Sequence, residues 1–439
     1  MEGKGCKVHT KKTGFFGILT MILLCSTMVS GCDRQELIYR FNNVEDASVD
    51  NFDENTEVVD NDPTSDTNAM ELSTEALSVN DTEMPIDTEE TYLGPEVSIV
   101  MVGDILLHTP VAESAVQEDG SYNFDAIFSN LSADIQSADL ALVNQEVIIG
   151  GADIGVSGYP CFNAPYEMGD ALVNAGFDVV LHATNHALDQ GKKGLTNCLN
   201  YWDTTYPDIA VLGINESEEE WQNIYVYEQD GIKIAILNYT YGTNGIALPS
   251  GMPYAVNLME EEKMVSDIQK AKELADFVVV CPHWGTEYKL DIDSWQKKWT
   301  DLFLENEVDL VIGTHPHVIE PIEVCVNEET GHEMLVYYSL GNFVNWTSSS
   351  GAGIANRMVG GMAEVTLGRD ENNEVTILDY GVKALVCHLE EGTNGVSTYA
   401  LSDYTESLAV KNAIISQDES FSYAYCVELC DSVWGDTWR

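Results

Sequence analysis

From Val97 onward the chain alternates short apolar runs with stretches whose apolar positions recur at helical spacing. The runs at 97–102, 138–143, 177–182, 209–213, 232–239, 276–281, 308–312 and 334–339 are rich in Val, Ile and Leu and read as buried strands. Between them, 124–137, 165–175, 191–201, 260–274 and 294–306 carry the period of helices. That rhythm predicts an α/β domain with a largely parallel core sheet. Beyond Met358, VGGMAEVTLGRD and EVTILDYGVKALVCHL read as antiparallel strands finishing the sheet. A helix is expected around 402–416, followed by an aromatic tail, and there is no internal repeat.

The amino terminus breaks this rhythm. Lys4, Lys7, Lys11 and Lys12 precede an apolar stretch at 15–29, and Val29-Ser30-Gly31-Cys32 closes it. A basic segment, a short apolar core and small residues make a secretory signal. The run is shorter than the ~20 apolar residues that cross a membrane comfortably. Its ending resembles the lipobox of bacterial lipoproteins, which implies cleavage before Cys32 and lipid on that cysteine. The expected location is the extracellular face of the bacterial cell membrane. Residues 33–96 then hold 19 Asp and Glu against only Arg34 and Arg40. So much like charge with so little apolar surface cannot offset ordering entropy, so a disordered, extended tether is expected. The expected organisation is a lipoprotein signal at 1–32, an acidic linker at 33–96, a folded domain at 97–390 and a C-terminal extension at 391–439.

Composition narrows the function. The chain is 44% hydrophobic, with 8 Trp, 20 Tyr and 12 Phe, enough for a sizeable core. Its net charge is −53, and most of that remains on 97–439 once leader and tether are removed. Nucleic acid is excluded as a partner, because phosphate contacts need basic patches. A polyanionic substrate would be repelled as well, unless a bound cation offset the field locally. The cysteines form no CxxC pair, and those beyond Cys32 are odd in number, so buried free thiols are expected rather than a disulfide framework.

Five of the apolar runs are followed at once by side chains that bind metals. VSIVMVGDILLH supplies Asp104 and His108, ADLALVNQEV supplies Asn144 and Glu146, and FDVVLHATNHALD supplies Asn185, His186 and Asp189. ADFVVVCPHWGTEY adds His283 and Glu287, and VDLVIGTHPHV adds His315 and His317. Ligands bind beyond the carboxyl ends of strands in α/β sheets, so these residues can converge on one rim. Pro316 stiffens the loop between two imidazoles, and Glu146 is the candidate for a carboxylate shared by two cations. Asp104, Glu146, Asn185, His283, His315 and His317 suffice for two divalent metal ions with positions left for water and substrate. Their nitrogen and oxygen donors suit Mn, Fe or Zn better than Ca. Trp284, between His283 and Gly285, is the one tryptophan placed to wall a cleft. Asn342, in SLGNF, is a further candidate for substrate contact.

VGDILLH, NQE, ATNHALDQG, PHWGTEY, GTHPHVIEPIE and YSLGNFV, in this order, resemble the CapA family of poly-γ-glutamate capsule synthesis proteins over about 97–344. That family resembles the calcineurin-like metallophosphoesterases, which implies a sheet sandwich flanked by helices and a dinuclear site. By the same resemblance Asp104 and His317 belong to the first metal, Asn185, His283 and His315 to the second, and Glu146 bridges. His186 resembles the histidine that assists the leaving group. The chain departs from the phosphoesterase pattern in two places. Asp104 and His108 are four apart where that pattern has Asp-x-His, and Asn144-Gln145-Glu146 replaces GDxxD. The role of His108 and phosphoesterase activity therefore stay open. Two readings compete: a surface-tethered metal-dependent hydrolase acting on a phosphoester or an anionic polymer, and a non-catalytic accessory subunit of a membrane capsule polymer synthase.

Overall fold

Strand β1 (Val97–Ile105) is buried at every position but Ser98, because strands flank both of its edges and both of its faces are covered. The computed structural model describes residues 94–439. The leader, Cys32 and all but the last residues of the acidic linker lie outside the described residues.

The remaining strands follow in chain order: β2 (Leu140–Asn144), β3 (Val179–Leu181), β4 (Ala210–Leu212), β5 (Tyr225–Gln229), β6 (Ile232–Thr240), β7 (Phe277–His283), β8 (Leu310–Ile312), β9 (Ile322–Val326), β10 (Glu333–Tyr337), β11 (Asn342–Val344), β12 (Val359–Arg369), β13 (Val375–Leu389) and β14 (Val396–Ala400). They form two sheets. One runs β14-β13-β12-β1-β2-β3-β4 with β11 also on β1, and the other runs β5-β6-β7-β8-β10-β9. Each has a parallel centre, β1 to β4 in the first and β6, β7, β8 and β10 in the second. The expected antiparallel finish is present as β12 and β13.

Period-two burial explains the pairing of layers. In β6, Ile234 and Ile236 join a core shared with β1 and β2, whereas Ala235, Leu237 and Tyr239 face a second core. Met101 of β1 and Cys281 of β7 bring their sulfurs to 3.8 Å where the sheets meet. The outer faces are covered by helices. Met168 and Leu172 of α1 (Tyr166–Ala175) and Leu195 and Trp202 of α2 (Gly191–Thr205) join the shared core. Ile268 of α3 (Glu261–Leu274) and Trp299 and Phe303 of α4 (Ser294–Glu305) close the second. The result is an α/β sandwich of two sheets flanked by helices. Among the described residues no helix is long and apolar enough to cross a membrane.

Some boundaries differ from expectation. The helical stretch at 124–137 splits into Asp125–Phe128 and Ser132–Ser137, and that at 402–416 shrinks to Glu406–Ala409 and a turn at Ala413–Ser416. Residues 391–439 are no appendage. They supply the edge strand β14 and helix α5 (Tyr423–Trp434), whose Cys426, Cys430 and Trp434 lie in the shared core. Cys198, Cys281, Cys387, Cys426 and Cys430 are buried free thiols.

Candidate metal centre

The parallel strands of both sheets end at one rim. Asp104 is the penultimate residue of β1 and sits in register with Asn144, the last residue of β2. Glu146 follows two residues later, Asn185 and His186 follow β3, His283 ends β7, and His315 and His317 follow β8. Gly103 permits a close approach, since a Cβ there would lie 2.0 Å from the Gly341 carbonyl oxygen. That closeness lets the Asp104 amide donate to Gly341 (2.9 Å) and aligns β11 beside the aspartate.

All six candidate ligands are buried and come together. Glu146 Oε1 lies 3.6 Å from His317 Nε2, 3.8 Å from His283 Nε2 and 3.9 Å from His186 Nε2. Asp104 Oδ2 is 3.2 Å from His317 Nδ1, and Asn185 Oδ1 is 3.0 Å from His283 Nε2. Glu146, His315 and His317 each offer an atom within 4.8 Å of the others. His315 (φ 101°) and His317 (φ 58°) both adopt the left-handed region, a cost of about 1–3 kcal/mol each that persists only where surroundings enforce it. Here Asp104 Oδ2 accepts from the His315 amide (3.2 Å) and Asn342 Nδ2 donates to the His317 carbonyl (2.9 Å).

The outer atoms of the set are held by neighbours, as metal ligands require. Asn144 Nδ2 donates to Asp104 Oδ1 (2.8 Å), Thr314 Oγ1 holds His283 Nδ1 (3.0 Å), and Asn342 Oδ1 holds His317 Nδ1 (3.0 Å). Three inner atoms are not held. Both oxygens of Glu146 and Nδ1 of His315 are buried without a hydrogen-bond partner, a costly condition for polar atoms away from water. Burial lowers His283 well below the usual imidazole value, and lowers His315 to about 4, so both rings are neutral and able to ligate. Burial pushes Glu146 up to about 8, with Asp104 adding to the rise and His317 opposing it. Burial also opposes charge on His317, yet Glu146 and Asp104 outweigh it and lift that ring to about 10. Two buried carboxylates thus draw in positive charge, and the orphaned donor atoms fit a divalent cation in that place.

His186 occupies a different position. Its Nδ1 lies 2.6 Å from Asp189 Oδ2, which also accepts from the Phe162 amide (2.7 Å). Burial disfavours the imidazolium, but Asp189 and then Glu146 more than offset this and raise its pKa. His108 packs edge-on against Phe162, with ring centroids 5.2 Å apart, and burial together with His317 and His186 disfavours its protonated form.

Two expected substrate contacts are corrected. Trp284 is 0% exposed: its Nε1 donates to the Tyr338 carbonyl (2.9 Å) and its ring packs on Phe303 and Tyr338. Alternation along β7 turns it to the helical side of the sheet, opposite His283. Trp284→Ala should therefore destabilise the fold by ~3–5 kcal/mol and leave metal content intact in the folded fraction; a urea midpoint equal to wild type would contradict this. Asn342 is likewise buried and fully engaged with His317 and the Arg357 carbonyl, so it positions a ligand rather than meeting substrate.

Sequence reasoning also missed supporting residues. Asn238 of β6 ties the sheets together, accepting from the Ala183 amide and donating to the Cys281 carbonyl (both 2.8 Å). Glu320, three residues past His317, is 0% exposed; Oε2 accepts from Gln296 (2.5 Å) while Oε1 has no partner. Burial pushes Glu320 up to about 8. Between an ordinary carboxyl value of about 4.3 and that value, the folded state keeps a proton the unfolded chain has lost, so stability falls as pH rises. Glu320→Gln should flatten this slope, gaining about 3–4 kcal/mol over wild type at pH 8 relative to pH 5. Denaturation midpoints at the two pH values read it, and an equal difference at both would refute it.

Comparison with known proteins agrees with the motifs. The family of bacterial capsule synthesis protein PGA_cap matches residues 98–347. The PGA biosynthesis protein CapA of Bacillus subtilis (strain 168) is 29% identical over 275 residues, 59% of this chain and 66% of that protein. The capsule biosynthesis protein CapA of Bacillus anthracis is 27% identical over 267 residues, 57% of this chain and 61% of that protein. The chain thus spans under two thirds of either relative. Among solved structures, NAD nucleotidase (NadN) of Haemophilus influenzae is similar with a TM-score of 0.42 and 15% identity over 66% of this chain and 58% of that one. A 5'-nucleotidase precursor from Thermus thermophilus has a TM-score of 0.39 and 15% identity over 66% and 54%. The family match covers more than half of the chain and all six candidate ligands: the chain belongs to the CapA family of bacterial capsule synthesis proteins.

Proposed function

We propose that this protein is a dinuclear metal-dependent hydrolase of capsule biosynthesis, cleaving a phosphoester and held at the outer face of the cell membrane by lipid on Cys32. One observation carries the reading: Glu146 is fully buried, both its oxygens lack hydrogen-bond partners, and three histidine nitrogens stand within 3.9 Å of Oε1. A carboxylate so placed suits a bridge between two cations, with Asp104 and His317 on one side and Asn185, His283 and His315 on the other. Divalent cations there would supply a nucleophilic hydroxide near neutral pH and polarise a phosphoryl oxygen. His186, oriented by Asp189, is placed to give a proton to the departing oxygen. The donor mix favours Mn, Fe or Zn.

The test is metal analysis of the full chain with hydrolysis assays on phosphodiesters and poly-γ-glutamate. Bound metal with metal-dependent phosphodiester turnover is expected; a chain that binds no divalent metal sinks the proposal. Asn144-Gln145-Glu146, where phosphoesterases carry GDxxD, favours the second reading, an accessory subunit of a membrane capsule synthase that meets the anionic polymer without cleaving it. Metal and polymer binding without turnover on any substrate would select it. Anchoring is tested separately: Cys32→Ser should leave the protein unlabelled by fatty acid and absent from washed membranes, and normal labelling would reject the lipid anchor.

A further inference from the structure

We infer that Arg357 is the anion-binding residue of this centre, receiving non-reacting phosphoryl oxygens of the substrate beside the His317 side of the metal site. The inference rests on the phosphoester reading for its substrate class. Arg357 lies in the turn Ala355–Met358 that leads into β12. Its guanidinium lies over the ring of Tyr288, 3.5 Å from the centroid, and that ring is 5.9 Å from the ring of His317. The Asn342 side chain joins the two directly. Its Oδ1 holds His317 Nδ1, and its Nδ2 donates to the carbonyls of both His317 (2.9 Å) and Arg357 (3.0 Å). The arginine is thus fixed to the same amide that orients a candidate ligand.

No carboxylate pairs with its charge among the described residues. The described residues include three arginines. Arg369 pairs with Asp276 (3.5 Å) and Arg439 with Asp431 (2.7 Å), but Arg357 makes no ion pair among the described residues. In a chain with 73 acidic and 20 basic side chains, that is an unexpected position for a partly buried guanidinium. Its Nε is buried without a hydrogen-bond partner. Stacking on Tyr288 holds the planar fork in one orientation, lowering the entropy lost when it grips a planar or tetrahedral oxyanion. Burial, His317, His186 and Arg357 all disfavour the protonated form of His108, so the arginine lies within electrostatic range of a ring that also senses the candidate ligand His317. The acidic surface repels anions, so a fixed cation at the rim beside the metals gives an anionic ester a local reason to bind.

The test uses the full chain, with metal content measured by elemental analysis and inorganic phosphate affinity by calorimetry. Arg357→Ala should keep wild-type metal content and lose about 10–100-fold in phosphate affinity, the range for one charged hydrogen-bonding group. Arg357→Lys should recover only part, because an ammonium restores the charge without the fork. A parallel titration with tri-γ-glutamate separates the sources: a loss confined to the carboxylate ligand overturns the phosphoryl assignment. Wild-type phosphate affinity in a fully metallated Arg357→Ala chain overturns it too, as does a wild-type chain that binds no phosphate. If the alanine chain loses metal through the Asn342 link, Arg357→Gln is compared in the same way. A wild-type chain without metal defeats the hydrolase reading, an outcome distinct from an Arg357 variant that binds phosphate normally.

Discussion

Replacing His317 with alanine is expected to strip the centre of metal. The ring faces Glu146 through Nε2 (3.6 Å), while Nδ1 is held by Asn342 (3.0 Å) beside Asp104 (3.2 Å), so it has one nitrogen to give and one that fixes its aim. Losing a group that merely supports a ligand shifts metal affinity about 10–100-fold, so losing the ligand should exceed 100-fold. The second position should weaken as well, because Glu146 would serve both. Alanine also disfavours the positive φ of 58° at this position, which would mix backbone strain with ligand loss. His317→Asn separates the two, since asparagine tolerates that conformation better. Both variants should fall below wild type in metal per chain after dialysis against graded chelator. Wild-type occupancy in both would mean that the strand-end histidines are structural, and the accessory-subunit reading would then lead.

The clustering of the candidate ligands is legible from sequence because each follows an apolar run, and the parallel strands bring those run ends to one rim. That inference needs only local pattern and one rule of sheet topology. What it could not see depends on the partner across the gap. Strands β5 and β9 are outer strands with intermediate or exposed residues, so no continuous apolar run marked them. Trp284 was misassigned because sequence adjacency to His283 says nothing about which face of the sheet a residue takes. Asn342 lies 25 residues beyond His317, and only the pairing of β11 with β1 brings SLGNF beside the aspartate. Arg357 carried no signal at all. Its significance comes from having no paired carboxylate among the described residues and from the tyrosine beneath it, and both are facts of three-dimensional packing. The segment after 390 looked like an extension because short helices and scattered aromatics lack a long period, yet Trp434 Nε1 donates to the Glu320 carbonyl (2.9 Å) and fastens the chain end near the His-Pro-His loop.

His186→Ala is expected to separate chemistry from metal binding. The Nδ1 contact with Asp189 (2.6 Å) turns Nε2 toward the centre, 3.9 Å from Glu146. With one nitrogen held by a carboxylate, and with Asp189 and Glu146 favouring the imidazolium against burial, the ring is suited to delivering a proton. Removing a general acid typically lowers turnover by about 10²–10⁴-fold. Metal content should stay near wild type, in contrast to His317→Ala. The loss should also depend on the leaving group. A nitrophenolate departs without protonation and should suffer little, whereas an alkyl alkoxide needs the proton and should take the full deficit. Asp189→Asn should show the same pattern more weakly, since it loosens the aim of the ring and lowers its basicity. Comparing kcat for aryl and alkyl phosphodiesters in wild type and both variants, with metal measured in each sample, decides the point. Equal losses on both substrates would remove His186 from the proton-transfer role, and metal loss in step with turnover would make it a ligand instead.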